Sequence, residues 1–466
     1  MRRGRCGSRS FSRHGRRTVG DLHFVGAGGA GMSPLAEVYA RRGVQVSGCD
    51  LRDSAAVRRL RTLGVDVRLG HDPDHLQTAE RVVVSRAVPP TEPEVAAARA
   101  RGLPVLHRAQ LLGQLLAREA DSVGVVGTHG KTTTTALLTV ALEAAGLDPT
   151  ALVGGEVHQF GGGARVGSGV AVAEVDESDG SLVWVRVRGA VVTSLDLTDH
   201  ADHYRDLDSL LRTFARFVAS TDPQGMVALC ADCPNARRLA AHAPGRVVTY
   251  GVEAGTYRGR ILRVQGRWSH FVLLREGREV GEVRLGLPGR HNVANATAAL
   301  AVGLERGASF DVLREALAGF QGVRRRFEVY CESPLVVDDY AHNPVKVRSL
   351  LRAVREAWPG RRVVAVFQPH RYSRTRTTYA QYADAFADAD EVVITELYPA
   401  DEPPEPGVSG KLIADHLRHP CVRWIPELED VVPLLRRTVG PEDVVVTVGA
   451  GDVWRVAQTL AREAGR

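Results

Sequence analysis

A glycine loop set between an apolar strand and a helix constrains this chain more than any other stretch. Residues 122–135 read SVGVVGTHGKTTTT. An apolar run leads into Gly127-Thr128-His129-Gly130-Lys131-Thr132-Thr133, and a helical pattern continues to residue 145. This order places backbone N–H groups where they approach phosphate oxygens, and the start of a helix adds partial positive charge. Lys131 would reach the terminal phosphates and Thr132 would ligate Mg²⁺. Lysine is rare in the chain, and one of its few copies lies here. The strict phosphate-loop pattern wants glycine where Val125 stands, so the match is to a shorter G-x-x-G-K-T form. A turn that only caps a helix is the plain alternative.

A second glycine loop lies near the start. Residues 19–25 predict a strand, followed by Gly26-Ala-Gly28-Gly29-Ala-Gly31-Met32-Ser33, a helix through Ala40, and a strand at 44–47 ending near Asp50. G-x-G-x-x-G with an acid about 20 residues on reads, taken alone, as dinucleotide binding, so an NAD-dependent dehydrogenase has to be weighed. The later loop offers a second nucleotide site and favours a ligase or kinase whose other substrate carries a diphosphate. Strands at 65–69, 81–84 and 104–106 alternate with helical stretches at 55–62 and 94–100, which predicts a parallel sheet with helices on its faces.

Beyond the phosphate loop, a strand at 170–175 runs into Glu174-Val-Asp176-Glu177. Period-two alternation predicts that Glu174 and Asp176 share a strand face, and acids beside a phosphate loop commonly hold Mg²⁺. A strand at 190–195 runs into Asp196-Leu-Thr-Asp199-His200, where His200 is a candidate for metal or phosphate contact. Residues 225–290 turn β-rich and close on His291-Asn292-Val-Ala-Asn295 and a helix to residue 304. Asn292 and Asn295, one turn apart, can face one ligand edge with the donor and acceptor that adenine needs.

The last segment again alternates strand with helix, with strands at 335–338, 363–367, 391–395 and 444–448. Three polar stretches follow strand ends: Asp338-Asp339-Tyr340-Ala-His342-Asn343, Gln368-Pro-His370-Arg371-Tyr372-Ser-Arg374, and Gly449-Ala-Gly451-Asp452. Arg371 and Arg374 are spaced for one helix face, suited to a carboxylate clamp, although arginine is abundant enough for a solvated surface.

The pattern predicts an α/β protein of three domains. Residues 18–120 form a Rossmann-like parallel sheet, 121–322 a P-loop ATPase-type α/β domain with added β structure, and 323–466 a Rossmann-like α/β domain. The net charge of +6 is a local matter: residues 1–17 hold seven arginines and no acid, leaving the remainder at about −1. That removes the electrostatic case for nucleic acid; 1–17 reads as a basic disordered tail or as sequence upstream of the true start, with a targeting peptide as the third reading. No apolar run approaches the roughly 20 residues of a membrane span, so a cytoplasmic location with no membrane partner is expected. The six cysteines are scattered, and the lone Cys230-Ala-Asp-Cys233 has no second pair to complete a zinc site.

Together these residues resemble the Mur ligase family from about residue 18 to the end. The likeness rests on His23-Phe-Val-Gly-Ala-Gly-Gly-Ala-Gly-Met-Ser33, Gly127-Thr-His-Gly-Lys-Thr132, Phe367-Gln-Pro-His-Arg-Tyr-Ser-Arg-Thr375, Tyr398-Pro-Ala400 with Pro406-Gly-Val-Ser-Gly-Lys411, and Gly449-Ala-Gly-Asp452. It is strongest to the branch that joins L-alanine to UDP-N-acetylmuramate with ATP and Mg²⁺ in peptidoglycan synthesis, through an acyl phosphate. The resemblance implies a UDP-sugar domain, a central ATP domain and a C-terminal amino-acid domain. Gly26, Gly28, Gly29, Gly31, Met32, Ser33 and Asp50 would serve the sugar nucleotide, and Gly127 to Thr133 with His291, Asn292, Asn295 and Arg326 would serve ATP. Thr132, Glu174 and His200 would hold metal. Tyr340, His342, His370, Arg371 and Arg374 would hold alanine, with Lys131, Glu174, His200, Arg326 and His342 as the catalytic set. Partners would be these small molecules, on a monomer or homodimer. The nearest rival is a recycling ligase that adds a whole peptide to the same sugar nucleotide. A dehydrogenase and a non-enzymatic nucleotide-binding regulator are the rivals of other classes.

Overall fold

The computed structural model describes residues 21–198 and 203–464. The arginine-rich stretch 1–17 and the candidate His200 therefore lie outside the described residues. The chain separates into two compact units, 1–108 and 109–466.

In the first unit, β1 (Leu22–Val25), α1 (Ser33–Arg41), β2 (Val46–Asp50), α2 (Ala55–Thr62), β3 (Asp66–Leu69), β4 (Arg81–Val84), α3 (Pro93–Ala100) and β5 (Val105–His107) succeed one another. The five strands pair in parallel in the order β3-β2-β1-β4-β5. Every residue of β1 is buried, as expected of a central parallel strand covered on both faces. Two of the unit's α-helices, α2 and α3, start at side-chain caps. Ser54 Oγ accepts from Val57 N at 3.2 Å to cap α2, and Glu92 accepts from Glu94 N and Val95 N to cap α3, with Pro93 at the first helical position. Because strand order reverses at β1, the glycine loop after it opens at a topological switch point, where ligands bind in such sheets.

The second unit begins one residue into α4 (Arg108–Leu116) and continues with β6 (Ser122–Val126), α5 (Lys131–Ala144), β7 (Thr150–Val157), β8 (Gly162–Arg165), β9 (Ala171–Glu174), β10 (Gly189–Val192), α6 (Leu207–Ala219) and β11 (Met226–Cys230). There follow α7 (Pro234–Arg238), β12 (Arg246–Gly251), β13 (Tyr257–Gln265), β14 (Trp268–Arg275), β15 (Arg278–Leu285), α8 (Arg290–Glu305) and α9 (Phe310–Ala318). Ten strands form one sheet, β15-β14-β13-β12-β11-β10-β6-β9-β7-β8. Its parallel middle carries β6 between β10 and β9, and an antiparallel meander extends one side through β13, β14 and β15. Helix α5 is buried almost all round, packed against α8, α9 and the sheet. Two of its buried threonines turn their hydroxyls onto the helix itself: Thr135 Oγ1 donates to Lys131 O at 2.8 Å and Thr139 Oγ1 to Thr135 O at 2.7 Å.

The rest of the unit holds β16 (Glu328–Glu332), β17 (Leu335–Asp339), α10 (Pro344–Ala357), β18 (Val363–Phe367), α11 (Tyr372–Thr378), β19 (Glu391–Ile394), α12 (Gly410–Ala414), β20 (Val422–Trp424), α13 (Leu428–Thr438), β21 (Val444–Val448) and α14 (Trp454–Ala464). They build a sheet β16-β17-β21-β18-β19-β20, parallel except for β16. β17, β21 and β18 are neighbours, so the three polar stretches of the sequence leave adjacent strands at the same edge. Among the described residues, no helix is long and apolar enough to cross a membrane.

Two local expectations are corrected. The strand predicted through residue 175 ends at Glu174, so Asp176 does not share its face; its carboxylate instead accepts from Ser178 N at 3.1 Å and Ser178 Oγ at 3.0 Å, closing a turn. Arg371 is not on a helix face with Arg374. It stands at the N-cap of α11 with φ +71°, because the chain must reverse out of β18 before the helix starts.

Candidate active site

The loop after β6 has the geometry its sequence implies. Gly127 and Gly130 hold φ of +137° and +81°, and a Cβ on Gly130 would lie 2.6 Å from Asn295 Oδ1. The loop backbone is fixed from β10: Thr128 N donates to Ser194 O at 2.8 Å, His129 N to Ser194 Oγ at 3.1 Å, and Thr193 Oγ1 to the carbonyl of His129. Recruiting Thr193 and Ser194 to the loop explains why β10 stops at Val192 rather than running on to residue 195.

Lys131 opens α5, and its Nζ donates to Gly127 O at 2.6 Å and Glu177 Oε1 at 2.8 Å. Burial works against the ammonium charge, but Glu177 first, then Asp176 and Glu174, outweigh it and push the Lys131 pKa up. The lysine is therefore a fixed cation at the loop. Thr132 Oγ1 donates to Glu174 Oε1 at 3.1 Å, while Glu174 Oε2 accepts from Gly154 N at 2.8 Å. His129 Nε2 lies 2.7 Å from Asp196 Oδ2. Burial raises the Asp196 pKa, yet the hydrogen bond and charge of His129, together with the hydrogen bonds from Thr198, outweigh it and hold the carboxyl well below the usual range. Glu177, Thr193, Ser194 and Asp196 escaped the sequence reading. Only proximity to a glycine loop could have marked them, and their partners are 46 to 68 residues away in the chain.

Thr193 and Ser194 line a cavity of about 440 Å³ that runs from Thr128–Thr133 past Glu174, His291, Asn292 and Asn295 to Arg326, Asp339 and Lys346. Asn292 and Asn295 are buried on α8, with Asn295 Nδ2 3.4 Å from Asn292 Oδ1 and Asn292 Nδ2 donating to Pro288 O at 2.8 Å. Arg326 reaches the same cavity from the third sheet and lies 5.0 Å over the Tyr340 ring.

At the edge of the third sheet the predicted amino-acid residues assemble around Tyr340. His342 meets its ring edge-on at 5.4 Å and lies 6.2 Å from His370. His370 stacks on Tyr398 at 5.8 Å, and Arg374 Nη1 donates to its Nδ1 at 3.0 Å. Burial first, then Arg374, His342 and Arg371, lower the His370 pKa to about 3. Arg371 itself is exposed. Asn343 caps α10, its Oδ1 accepting from Lys346 N at 2.8 Å. Arg325, hidden in the run Arg324-Arg-Arg326, is another residue missed from sequence. At φ +60° its guanidinium donates to Gly449 O at 2.6 Å, Gly451 O at 2.8 Å and Asp338 Oδ2 at 3.1 Å, tying two of the strand-end stretches together.

In the first unit, Gly26 holds φ +76°, and a Cβ on Gly28 would lie 2.8 Å from Ser54 Oγ. Gly29 and Gly31 are exposed at the tip of the turn, Ser33 opens α1, and a Cβ on Gly31 would lie 2.9 Å from an Arg108 guanidinium nitrogen. Asp50 Oδ2 accepts from Gly28 N at 2.8 Å and Oδ1 from Arg52 N at 3.0 Å, so the acid steadies the loop. The Met32 side chain is buried in the core beneath α1 and its N–H donates to Gly29 O at 2.9 Å, which leaves it a packing role rather than contact with a ligand.

A phosphate loop on a parallel sheet, facing a cavity closed by a second α/β sheet, defines a nucleotide-binding α/β protein of the P-loop kind. The chain matches three family models: Mur ligase family, catalytic domain, over residues 21–120; Mur ligase middle domain over 125–303; and Mur ligase, glutamate ligase domain, over 325–451. It belongs to the Mur ligase family. It is 46% identical over 449 residues to the UDP-N-acetylmuramate–L-alanine ligase of Rubrobacter xylanophilus, covering 94% of this chain and 99% of that one. A crystal structure of the UDP-N-acetylmuramate-alanine ligase from Thermotoga maritima superposes with a TM-score of 0.82 at 30% identity, covering 96% of this chain and 100% of that one. A murein peptide ligase from Psychrobacter arcticus shares the fold, with a TM-score of 0.70 at 22% identity over 96% of this chain and 99% of that one.

Proposed function

We propose that the cavity over Lys131 binds ATP and that its terminal phosphate is spent on activating a carboxylate for amide formation. The reaction is the joining of L-alanine to UDP-N-acetylmuramate in peptidoglycan synthesis, the activity by which the relatives at 40–46% identity are named. The observation that supports the ATP site best is the pairing of Lys131 with buried Glu177 at the mouth of a helix, which supplies a fixed cation where phosphate charge develops. On this reading the lactyl carboxylate attacks the γ-phosphate, the alanine amine attacks the resulting acyl phosphate, and phosphate leaves. Most of the work is positioning and charge neutralisation.

Lys131 and Arg326 would meet the phosphates, and Asn292 and Asn295 the adenine. The oxygens of Thr132 and Glu174 are of the kind a hard divalent cation takes, and would hold Mg²⁺, which neutralises phosphate charge when bound. Tyr340, His342, His370 and Arg374 would cradle alanine, with Arg371 at the rim. The glycine loop at Gly26 would take the sugar nucleotide diphosphate. The functional division follows as 18–120, 121–322 and 323–466, in a cytoplasmic enzyme.

Phosphate release measured with UDP-N-acetylmuramate, ATP and each amino acid tests this. Release that needs L-alanine is expected, and release indifferent to it overturns the reading. A tripeptide offered in place of alanine separates the recycling ligase. Titration with NADH separates the dehydrogenase, and tight binding there would contradict the ligase reading.

A further inference from the structure

The first unit carries a buried cluster that the ligase reaction does not use. His23 on β1, Cys49 on β2 and Glu94 in the first turn of α3 are each no more than 1% exposed. Their polar atoms converge: Glu94 Oε2 lies 2.9 Å from His23 Nε2 and 2.9 Å from Cys49 Sγ, and all three lie within 4.8 Å of one another. His71, on the loop after β3, brings Nδ1 to 3.1 Å from Cys49 Sγ. We propose that His23 Nε2, Cys49 Sγ and Glu94 Oε2, with His71 Nδ1 as the rim ligand, form a structural zinc site beneath the glycine loop.

The donor set is that of zinc rather than of Mg²⁺, since thiolate and imidazole select a borderline-soft ion. Zinc bonds of about 2.0 Å to nitrogen and 2.3 Å to sulfur separate tetrahedral ligands by roughly 3.5 Å. Glu94 Oε2, 2.9 Å from each of the other two inner atoms, needs to draw back from them by roughly half an ångström, and His71 to swing inward. An outer shell is already in place. His23 Nδ1 lies 2.8 Å from Ser47 Oγ, so the tautomer with Nδ1–H donating to Ser47 leaves Nε2 for the ion. Glu94 Oε1 is held by Asp72 N at 3.0 Å and His75 Nδ1 at 2.8 Å, which turns Oε2 inward.

Without metal, burial first and then the Glu94 carboxylate hold the Cys49 thiol protonated, while the hydrogen bonds from His23, Cys49 and Asp72 N outweigh burial and lower the Glu94 pKa to about 2. Binding forms the Zn–S bond and breaks the S–H bond, and the proton leaves to solvent. His71 and His75, 20% and 11% exposed, mark the way in. The site would join β1, β2, α3 and the β3 exit directly under the loop, because the Cys49 carbonyl accepts from Gly26 N and Ala27 N at 2.9 Å. Cysteine spacing could not reveal it, since the ligands come from four separate elements.

The test uses the full chain, stripped with chelator and then loaded with Co²⁺ or Zn²⁺ alone. One equivalent of Co²⁺ should give a thiolate-to-cobalt charge-transfer band and strong tetrahedral visible bands, and Zn²⁺ should raise Tm. Cys49→Ser should abolish both signals, while Cys230→Ser/Cys233→Ser should keep them. His71→Gln, at the partly exposed rim, removes a ligand and should weaken Co²⁺ and Zn²⁺ binding without disturbing the core. Absence of the band in the wild type overturns the proposal and leaves the cluster a hydrogen-bond network. A band that survives Cys49→Ser but not Cys230→Ser/Cys233→Ser overturns it equally.

Discussion

Lys131 Nζ and Glu177 Oε1 stand 2.8 Å apart at the start of α5, with the carboxylate fully buried. Neither charge is stable in that position without the other. Removing one partner of a buried pair costs about 3–5 kcal/mol, because the remaining charge is left uncompensated. Lys131→Ala would therefore lower stability as well as activity and would confuse the two. Lys131→Met with Glu177→Gln keeps the volume and removes both charges. The double variant should keep a Tm near wild type in denaturation and still lose phosphate release by at least about 100-fold, the scale of a single transition-state donor. Near-wild-type turnover would refute a catalytic Lys131.

Gly130 is constrained twice, by φ +81° and by the 2.6 Å a Cβ would leave to Asn295 Oδ1. Gly130→Ala should cost about 1–2 kcal/mol from the left-handed backbone alone. Adding Asn295→Ala removes the clash but not the strain. In the Asn295→Ala background the Tm loss caused by Gly130→Ala should shrink but not vanish, relative to the loss in the wild-type background. Full recovery would show that contact with Asn295, rather than backbone conformation, decides the glycine.

The loops were legible because glycine, lysine and strand-helix periodicity are local signals. Arg81–Val84, Ala55–Thr62 and Val363–Phe367 fall where the pattern puts them. What escaped was set by tertiary demand. β10 gives up three residues so that Thr193 and Ser194 can hold the phosphate loop, and Asp176 leaves the strand to close a turn. Arg325 could not be told from Arg324 and Arg326 by composition, since only its left-handed backbone aims it at the Gly449–Gly451 carbonyls. The cluster of His23, Cys49 and Glu94 spans 71 residues of chain, beyond any spacing rule.

Asp338 is buried between Arg325 Nε at 3.1 Å and Thr447 Oγ1 at 2.6 Å. Burial nevertheless prevails over Arg325 and pushes its carboxyl from 3.8 up to about 6. In that window the folded chain binds the proton more tightly than the unfolded one. The contribution is complete below 3.8 and is lost as pH rises through about 6. Asp338→Asn cannot titrate, so the Tm difference between wild type and variant should change across this window and level off on either side. A difference flat in pH would contradict the assignment.

His370 is fixed as a neutral imidazole by its neighbour. The Arg374 guanidinium can only donate, so His370 Nδ1, 3.0 Å from Nη1, must accept, and the ring proton sits on Nε2. Burial and the cations around it hold the pKa at about 3, against an ordinary 6.5. Below 6.5 the unfolded chain takes up a proton that the folded chain refuses, so stability falls on acidification from 6.5 towards about 3. Arg374→Gln removes the nearest cation and permits Nδ1 to protonate. The variant should move the His370 titration upward, soften the acid loss of stability, and raise the KM for alanine while Arg371→Gln, at the exposed rim, changes it less. NMR of labelled imidazole reads the tautomer and the titration directly. A wild-type His370 that protonates near its ordinary value, or an alanine KM more sensitive to Arg371 than to Arg374, would overturn this arrangement of the amino-acid site.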